Sequence, residues 1–333
     1  MAEPLVIEVT RGARVESLHR VSAAVCDAAG ALVFSHGDTV TPVFPRSAVK
    51  VFQAIPFVES GSADAYGFTN RELSLACASH SGEEGHRRLA AEMLERAGLG
   101  EPTLECGCHW PFDMSVALDL ARTGGAPTPL GNNCSGKHAG FLCTAVHLGE
   151  ETRGYVEAAH PVQRRALAVM EDLTGSALPP SMCGTDGCSI PTAAAPLAGF
   201  ARGFAKLAAR QGAEPSRLAA GRRLIEACMA EPWLMSGTGR ACLTLMEAAP
   251  GRVFAKTGAE GVFCGAVPEL GLGFALKAQD GTSRAAEAAV AHLLAEMLRE
   301  SEPALAERYD AMARRTLKNW EGREVGEIRV RRA

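Results

Sequence analysis

Pro45-Arg46-Ser47-Ala48-Val49-Lys50-Val51-Phe52-Gln53-Ala54-Ile55-Pro56 is where the chain changes character. Upstream, Leu5-Val-Ile-Glu-Val-Thr10, Val21-Ser-Ala-Ala-Val-Cys26 and Ala31-Leu-Val-Phe-Ser35 are short β-rich runs. Arg11-Gly12 and Asp27-Ala-Ala-Gly30 punctuate them, so they read as an antiparallel meander. From Ser47 the pattern lengthens. The spacing predicts a helix starting at or near Ser47, with Ser47 and Lys50 on one face and a kink or stop at Pro56. Further helical patterns cover about 70–78, 83–97, 157–173, 192–211 and 216–230. Strands return at Arg252-Val-Phe-Ala-Lys256-Thr257-Gly258, at Val262-Phe-Cys-Gly-Ala-Val267 and at Leu270–Lys277. Helices over 284–299 and 303–315 and a last strand, Val325–Val330, complete the chain. The layout predicts an α/β fold of the α+β kind: an antiparallel sheet from both chain ends (about 1–46 and 250–333), with a helical region (about 47–249) inserted. Residues 1–333 are read as a single domain.

Composition narrows the classes. The chain has 333 residues, 47% hydrophobic and 22% charged, with a net charge of −4. No basic stripe suggests a nucleic-acid partner. No apolar run approaches the roughly 18 residues of a membrane span, and the N-terminal residues do not read as a secretion signal. The 11 cysteines are an odd number and contain no Cys-x-x-Cys, which suits reduced thiols in a cytoplasmic protein. Lysine is scarce, at six of 34 basic residues. Lysine, unlike arginine, is readily tuned to neutrality by burial, so Lys50, Lys137 and Lys256 stand out by their surroundings.

Four further stretches carry chemistry. Ala78-Ser79-His80-Ser81-Gly82 ends the helix near 70–78. Ser81 with Glu84 reads as a capping box, which leaves Ser79 and His80 unexplained. Gly131-Asn132-Asn133-Cys134-Ser135-Gly136-Lys137-His138-Ala139-Gly140 packs amide, thiol, hydroxyl, amine and imidazole into a loop entering a helix, where free N–H groups suit a polar ligand. A simple helix cap is the plainer reading. Cys183-Gly-Thr-Asp186-Gly187-Cys188 is a second polar loop, with Asp186 placed to meet an amine or to make an ordinary turn. Lys256-Thr-Gly258 lies on a returning strand. Ser-x-x-Lys on the first helix and Lys-Thr-Gly on a late strand is the order of the serine β-lactamases and penicillin-binding proteins, although no Ser-Asp-Asn lies between them.

Taken together, the five motifs resemble the rhizobial-type, class 3 L-asparaginases, the asparaginase II family, over essentially the whole chain. The resemblance implies a glutaminase/β-lactamase-like fold, a homodimer, and hydrolysis of L-asparagine to L-aspartate and ammonia. It implies two Ser–Lys tandems, Ser47 with Lys50 and Ser79 with Lys256, and a zinc site at Cys134, Lys137 and Cys188. It places Asp186 on the substrate amine. Arg46 is a candidate for the carboxylate, and Asn133 and His138 complete the expected substrate contacts. The chemistry is coherent: a lysine one turn away takes the serine proton, and an acyl-enzyme forms and is hydrolysed. Two thiolates and a lysine are an unusual zinc set, since lysine must lose its proton to ligate; a positioning role suits it better than water activation. The rivals are a glutaminase or penicillin-recognising enzyme and, from another class, a non-catalytic zinc or thiol binding module.

Overall fold

A computed structural model describes residues 2–331. The N-terminal meander forms β1 (Leu5–Arg11), the long β2 (Arg14–Cys26) and β3 (Leu32–His36). A small hairpin, β4 (Cys183–Thr185) with β5 (Pro191–Ala193), lies within the helical region. The chain then returns as β6 (Phe254–Gly258), β7 (Val262–Val267), β8 (Leu272–Ala278), β9 (Arg315–Lys318) and β10 (Glu324–Val330). The main sheet has the order β6-β7-β8-β2-β1-β10-β9, with β3 also paired to β2, and every pairing is antiparallel. Both chain ends build it, as the sequence predicts. β2 can serve two neighbourhoods because of its length: its first part pairs with β1 and its last six residues with β8.

Helices cover the sheet. Leu197–Ala209 packs on β8, β2 and β7, and Ser283–Leu298 packs on β8, β10 and β2. Gly273 permits the first contact, since an added Cβ would lie 2.2 Å from the carbonyl oxygen of Ala201. An aromatic column ties the two lysine-bearing elements together. Phe52 and Phe204 have ring centroids 4.4 Å apart, and Phe204 and Phe254 lie 5.8 Å apart. Phe52 is two residues after Lys50. Phe254 is two before Lys256 and so shares its face of β6.

Three local expectations need correction. The first helix does not start at Ser47: Arg46–Val49 is a 3₁₀ turn, and the α-helix is Lys50–Glu59. It also runs through Pro56. Phe52, Ile55 and Phe57 are fully buried there, so packing outweighs the missing N–H. The Ser81–Glu84 capping box is absent. The helix Glu84–Arg96 has Glu83 at its N-cap, while the buried Ser81 hydroxyl donates to the carbonyl of Ser236. The capping box in this part of the chain belongs to Thr69 and Glu72.

Candidate active site

The 3₁₀ turn and the end of the helix Asn70–Ala76 meet β6 at one point. Lys50 opens its helix facing inward and donates to the Ala78 carbonyl, to Ser79 Oγ at 3.0 Å and to Cys134 Sγ at 3.1 Å. Lys256 Nζ approaches from β6 and donates to the same Ser79 Oγ at 2.9 Å and to the Thr257 carbonyl at 2.8 Å. One serine hydroxyl therefore lies between two amines. Ser79 is held from behind by its N–H bond to the Met235 carbonyl, 3.0 Å. Gly258 lets β6 come this close: a Cβ there would stand 2.4 Å from the Pro45 carbonyl oxygen.

Ser79–Lys256 is thus paired as the resemblance implies. Ser47 is half-buried on the turn, and Lys50 reaches Ser79 rather than the Ser47 hydroxyl. Arg46, just before it, has φ +51°, a conformation costly for a residue with a Cβ. Such strain persists only where surroundings enforce it. Arg46 Nε donates to Asp186 Oδ1 at 2.5 Å.

The second cluster adjoins the first. The β4–β5 turn carries Asp186 and Cys188, and reciprocal backbone bonds between Val43 and Ala195 fasten that hairpin to the segment before Arg46. The helix Ser135–His147 carries Lys137, with Cys134 at its N-cap. Lys137 Nζ donates to Cys188 Sγ at 3.0 Å, and Cys188 Sγ lies 3.7 Å from Asp186 Oδ2. Cys134, Lys137 and Cys188 do converge. Two sulfurs and an amine fit a thiophilic metal such as zinc with a fourth position left over. Among the described residues, no three His, Cys, Asp or Glu side chains group to hold a metal, so any such site depends on Lys137.

Electrostatics separates the two clusters. Burial, reinforced by Lys50 and Arg240, lowers Lys256 to about 7 despite the opposing influence of Cys242. Burial also works to lower Lys137, but Cys134 and Cys188 overcome it and raise it above its ordinary value. The hydrogen bond from Cys188, helped by Lys137 and Lys50, holds the Cys134 thiol well below the usual range, while Cys188 is pushed up as the partner that keeps the proton. Burial works to raise Asp186, yet Lys137 and Arg46 hold it below its ordinary value.

Asn133 is half-buried beside the site; its N–H donates to His109 Nε2 at 3.0 Å, and its carbonyl accepts from His80. His138 is fully buried, with Nδ1 2.7 Å from the Tyr155 hydroxyl. That hydroxyl accepts the Glu105 N–H, so its proton points to Nδ1. Among the described residues, the remaining nitrogen, Nε2, has no partner. The sequence reading gave no role to His109, Tyr155, Cys242 or Arg240. They come from three separate segments, Arg240 and Cys242 sharing one, and no short motif joins them.

Two amines on one buried serine hydroxyl are an arrangement suited to amide hydrolysis by a serine–lysine centre. The sequence profile of L-asparaginase II matches residues 7–330, and the chain belongs to that family. No curated protein matches it. Among solved structures it is similar to a β-lactamase from Mycobacterium bovis (15% identity, covering 88% of this chain and 94% of that one, TM-score 0.40). It is also similar to a probable glutaminase from Bacillus subtilis complexed with 6-diazo-5-oxo-L-norleucine (16%, 85% and 84%, TM-score 0.36). A third is Mglu (16%, 84% and 66%, TM-score 0.37), of whose length this chain spans under two thirds.

Proposed function

We propose that the protein hydrolyses the side-chain amide of L-asparagine to L-aspartate and ammonia. The observation that carries this reading is Ser79 Oγ held between Lys50 and Lys256, with the half-buried Ser47 one turn ahead of Lys50. Family membership supports asparagine as the amide.

Ser47 Oγ attacks the amide carbon as its proton passes to Lys50. Catalytic hydrogen bonds commonly tighten only once substrate is bound, and Lys50 follows Ser47 by three residues, where the turn passes into the helix. The free first N–H groups of the turn, that of Ser47 included, hold the oxyanion. The C–N bond breaks as the nitrogen takes a proton, and ammonia leaves an ester on Ser47. Water then attacks that ester, giving its proton to the amine network and freeing aspartate and the Ser47 hydroxyl. Lys50 donates three hydrogen bonds in the resting site, so it first gives one proton through Ser79 to Lys256, which burial leaves neutral and able to receive it near pH 7, and then takes the Ser47 proton.

Asp186 binds the substrate ammonium group, with Arg46 as its brace, and Asn133 lines the same opening. His138, buried behind it, orients the wall. Cys134, Lys137 and Cys188 would hold zinc, which would supply a positive charge between the Asp186 loop and the helix Ser135–His147. We extend the reading to the homodimer that the family resemblance implies; light scattering giving a monomer at assay concentration would remove it.

The test is ammonia release from L-asparagine and L-glutamine by the wild type and Ser47→Ala. Release from asparagine that Ser47→Ala abolishes is the expected result. Release chiefly from glutamine would move the substrate. Full activity in Ser47→Ala would remove Ser47 as nucleophile.

A further inference from the structure

Arg46 is already committed, since its Nε donates to Asp186. An amino-acid substrate brings a carboxylate as well as an ammonium group, and a carboxylate taken from water needs a cation. Arg240 is such a cation. Among the described residues, its guanidinium donates no side-chain hydrogen bond and meets no carboxylate, although it is half-buried. A half-buried arginine with no carboxylate of its own is suited to one brought by a ligand, because arginine is enriched where planar carboxylates are recognised.

Its position is tied to the site from both sides. Arg240 follows the loop Ser236-Gly237-Thr238-Gly239, in which both glycines have positive φ, +113° and +71°. Just before that loop, the Met235 carbonyl accepts the N–H of Ser79. Two residues after Arg240, Cys242 Sγ accepts the N–H of Thr257 at 3.2 Å, beside Lys256. The segment therefore straddles Ser79 and Lys256, with Arg240 between its two anchor points. On the other side, the Arg240 guanidinium lies over the Phe112 ring, 5.6 Å from its centroid. Phe112 stacks on His109 at 4.6 Å, and His109 Nε2 accepts the N–H of Asn133. The ring holds the cation without neutralising it, so the donors stay free for a ligand.

We propose that Arg240 anchors the α-carboxylate of the amino-acid substrate, while Asp186 takes its ammonium group. The assignment rests on the asparaginase reading and gives that site its specificity for an α-amino acid. Its positive charge also reaches Lys256, where it favours the neutral amine.

The test compares L-asparagine with β-alaninamide, which is asparagine without its α-carboxylate, by ammonia release from the wild type, Arg240→Ala, Arg240→Lys and Arg46→Ala. The wild type should prefer asparagine. In Arg240→Ala, the ratio of kcat/KM for asparagine over β-alaninamide should fall roughly 10- to 100-fold, mostly through KM, as expected for one charge-assisted contact. Arg240→Lys should recover part of that ratio. An unchanged ratio in Arg240→Ala overturns the proposal and returns the carboxylate to Arg46. Equal losses for both substrates also overturn it, since they mark a structural role. A wild type that releases ammonia from neither substrate fails the asparaginase reading itself, and the role of Arg240 falls with it.

Discussion

Lys256 and Lys137 are almost equally buried, at 1% and 2% exposure, yet they are driven in opposite directions. Lys256 contacts a neutral hydroxyl and a carbonyl, and the nearby cations Lys50 and Arg240 oppose its charge. Lys137 touches a sulfur, and Asp186 lies close by. Burial supplies the same penalty in each case; the neighbouring charge decides the outcome. The first environment makes a base that can be neutral near pH 7. The second makes a fixed cation, or a metal ligand once its proton is displaced. A single residue type thus serves two purposes a few side chains apart, linked through Lys50, which touches both Ser79 and Cys134.

The sharpest break of this comparison is Lys256→Met, which keeps the bulk and removes the base. A loss of about 10² to 10⁴ in kcat is expected from removing a proton-transfer group. Turnover within threefold of the wild type would place the proton elsewhere. On the other side, the double variant Cys134→Ala, Cys188→Ala should lose bound zinc, read by elemental analysis of the purified protein; full zinc retention would refute the site. Asp186→Ala should raise KM for asparagine roughly 10- to 100-fold, as for a lost charged contact, and an unmoved KM would remove Asp186 from the ammonium site. The smallest effect belongs to the packing that brings the clusters together. Gly258→Ala should cost about 1–3 kcal/mol through its clash with the Pro45 carbonyl, seen as a lowered denaturation midpoint.

Much of this was legible in the sequence, and the reasons differ by region. The sheet could be read because its strands at both chain ends are short, β-rich and bounded by turns, a local signal. The hairpin β4–β5 could not: three residues per strand carry no period. The Ser47–Lys50 spacing correctly placed both on one turn, but spacing does not say where a flexible amine points, and Lys50 turns to Ser79. The convergence of Cys134, Lys137 and Cys188 depended on family resemblance, since buried cysteines are ordinary core residues. Arg240 was invisible because its meaning lies in what it lacks, a partner, and a sequence does not show that.

The two lysines also differ in how they couple to pH. Lys256 is lowered in the folded protein, so the unfolded chain binds more protons between about pH 7 and its ordinary value, and its contribution to stability rises with pH across that window. Under the proposed function the catalytic consequence has the same direction: Lys256, as the base, is protonated below pH 7 and free above it. The most direct measurement is therefore the pH dependence of kcat/KM for ammonia release from L-asparagine. The account predicts a rise with pH through a single limb centred near 7, set by Lys256. A profile that is flat, or that falls as pH passes through 7, would contradict a neutral buried lysine as the base.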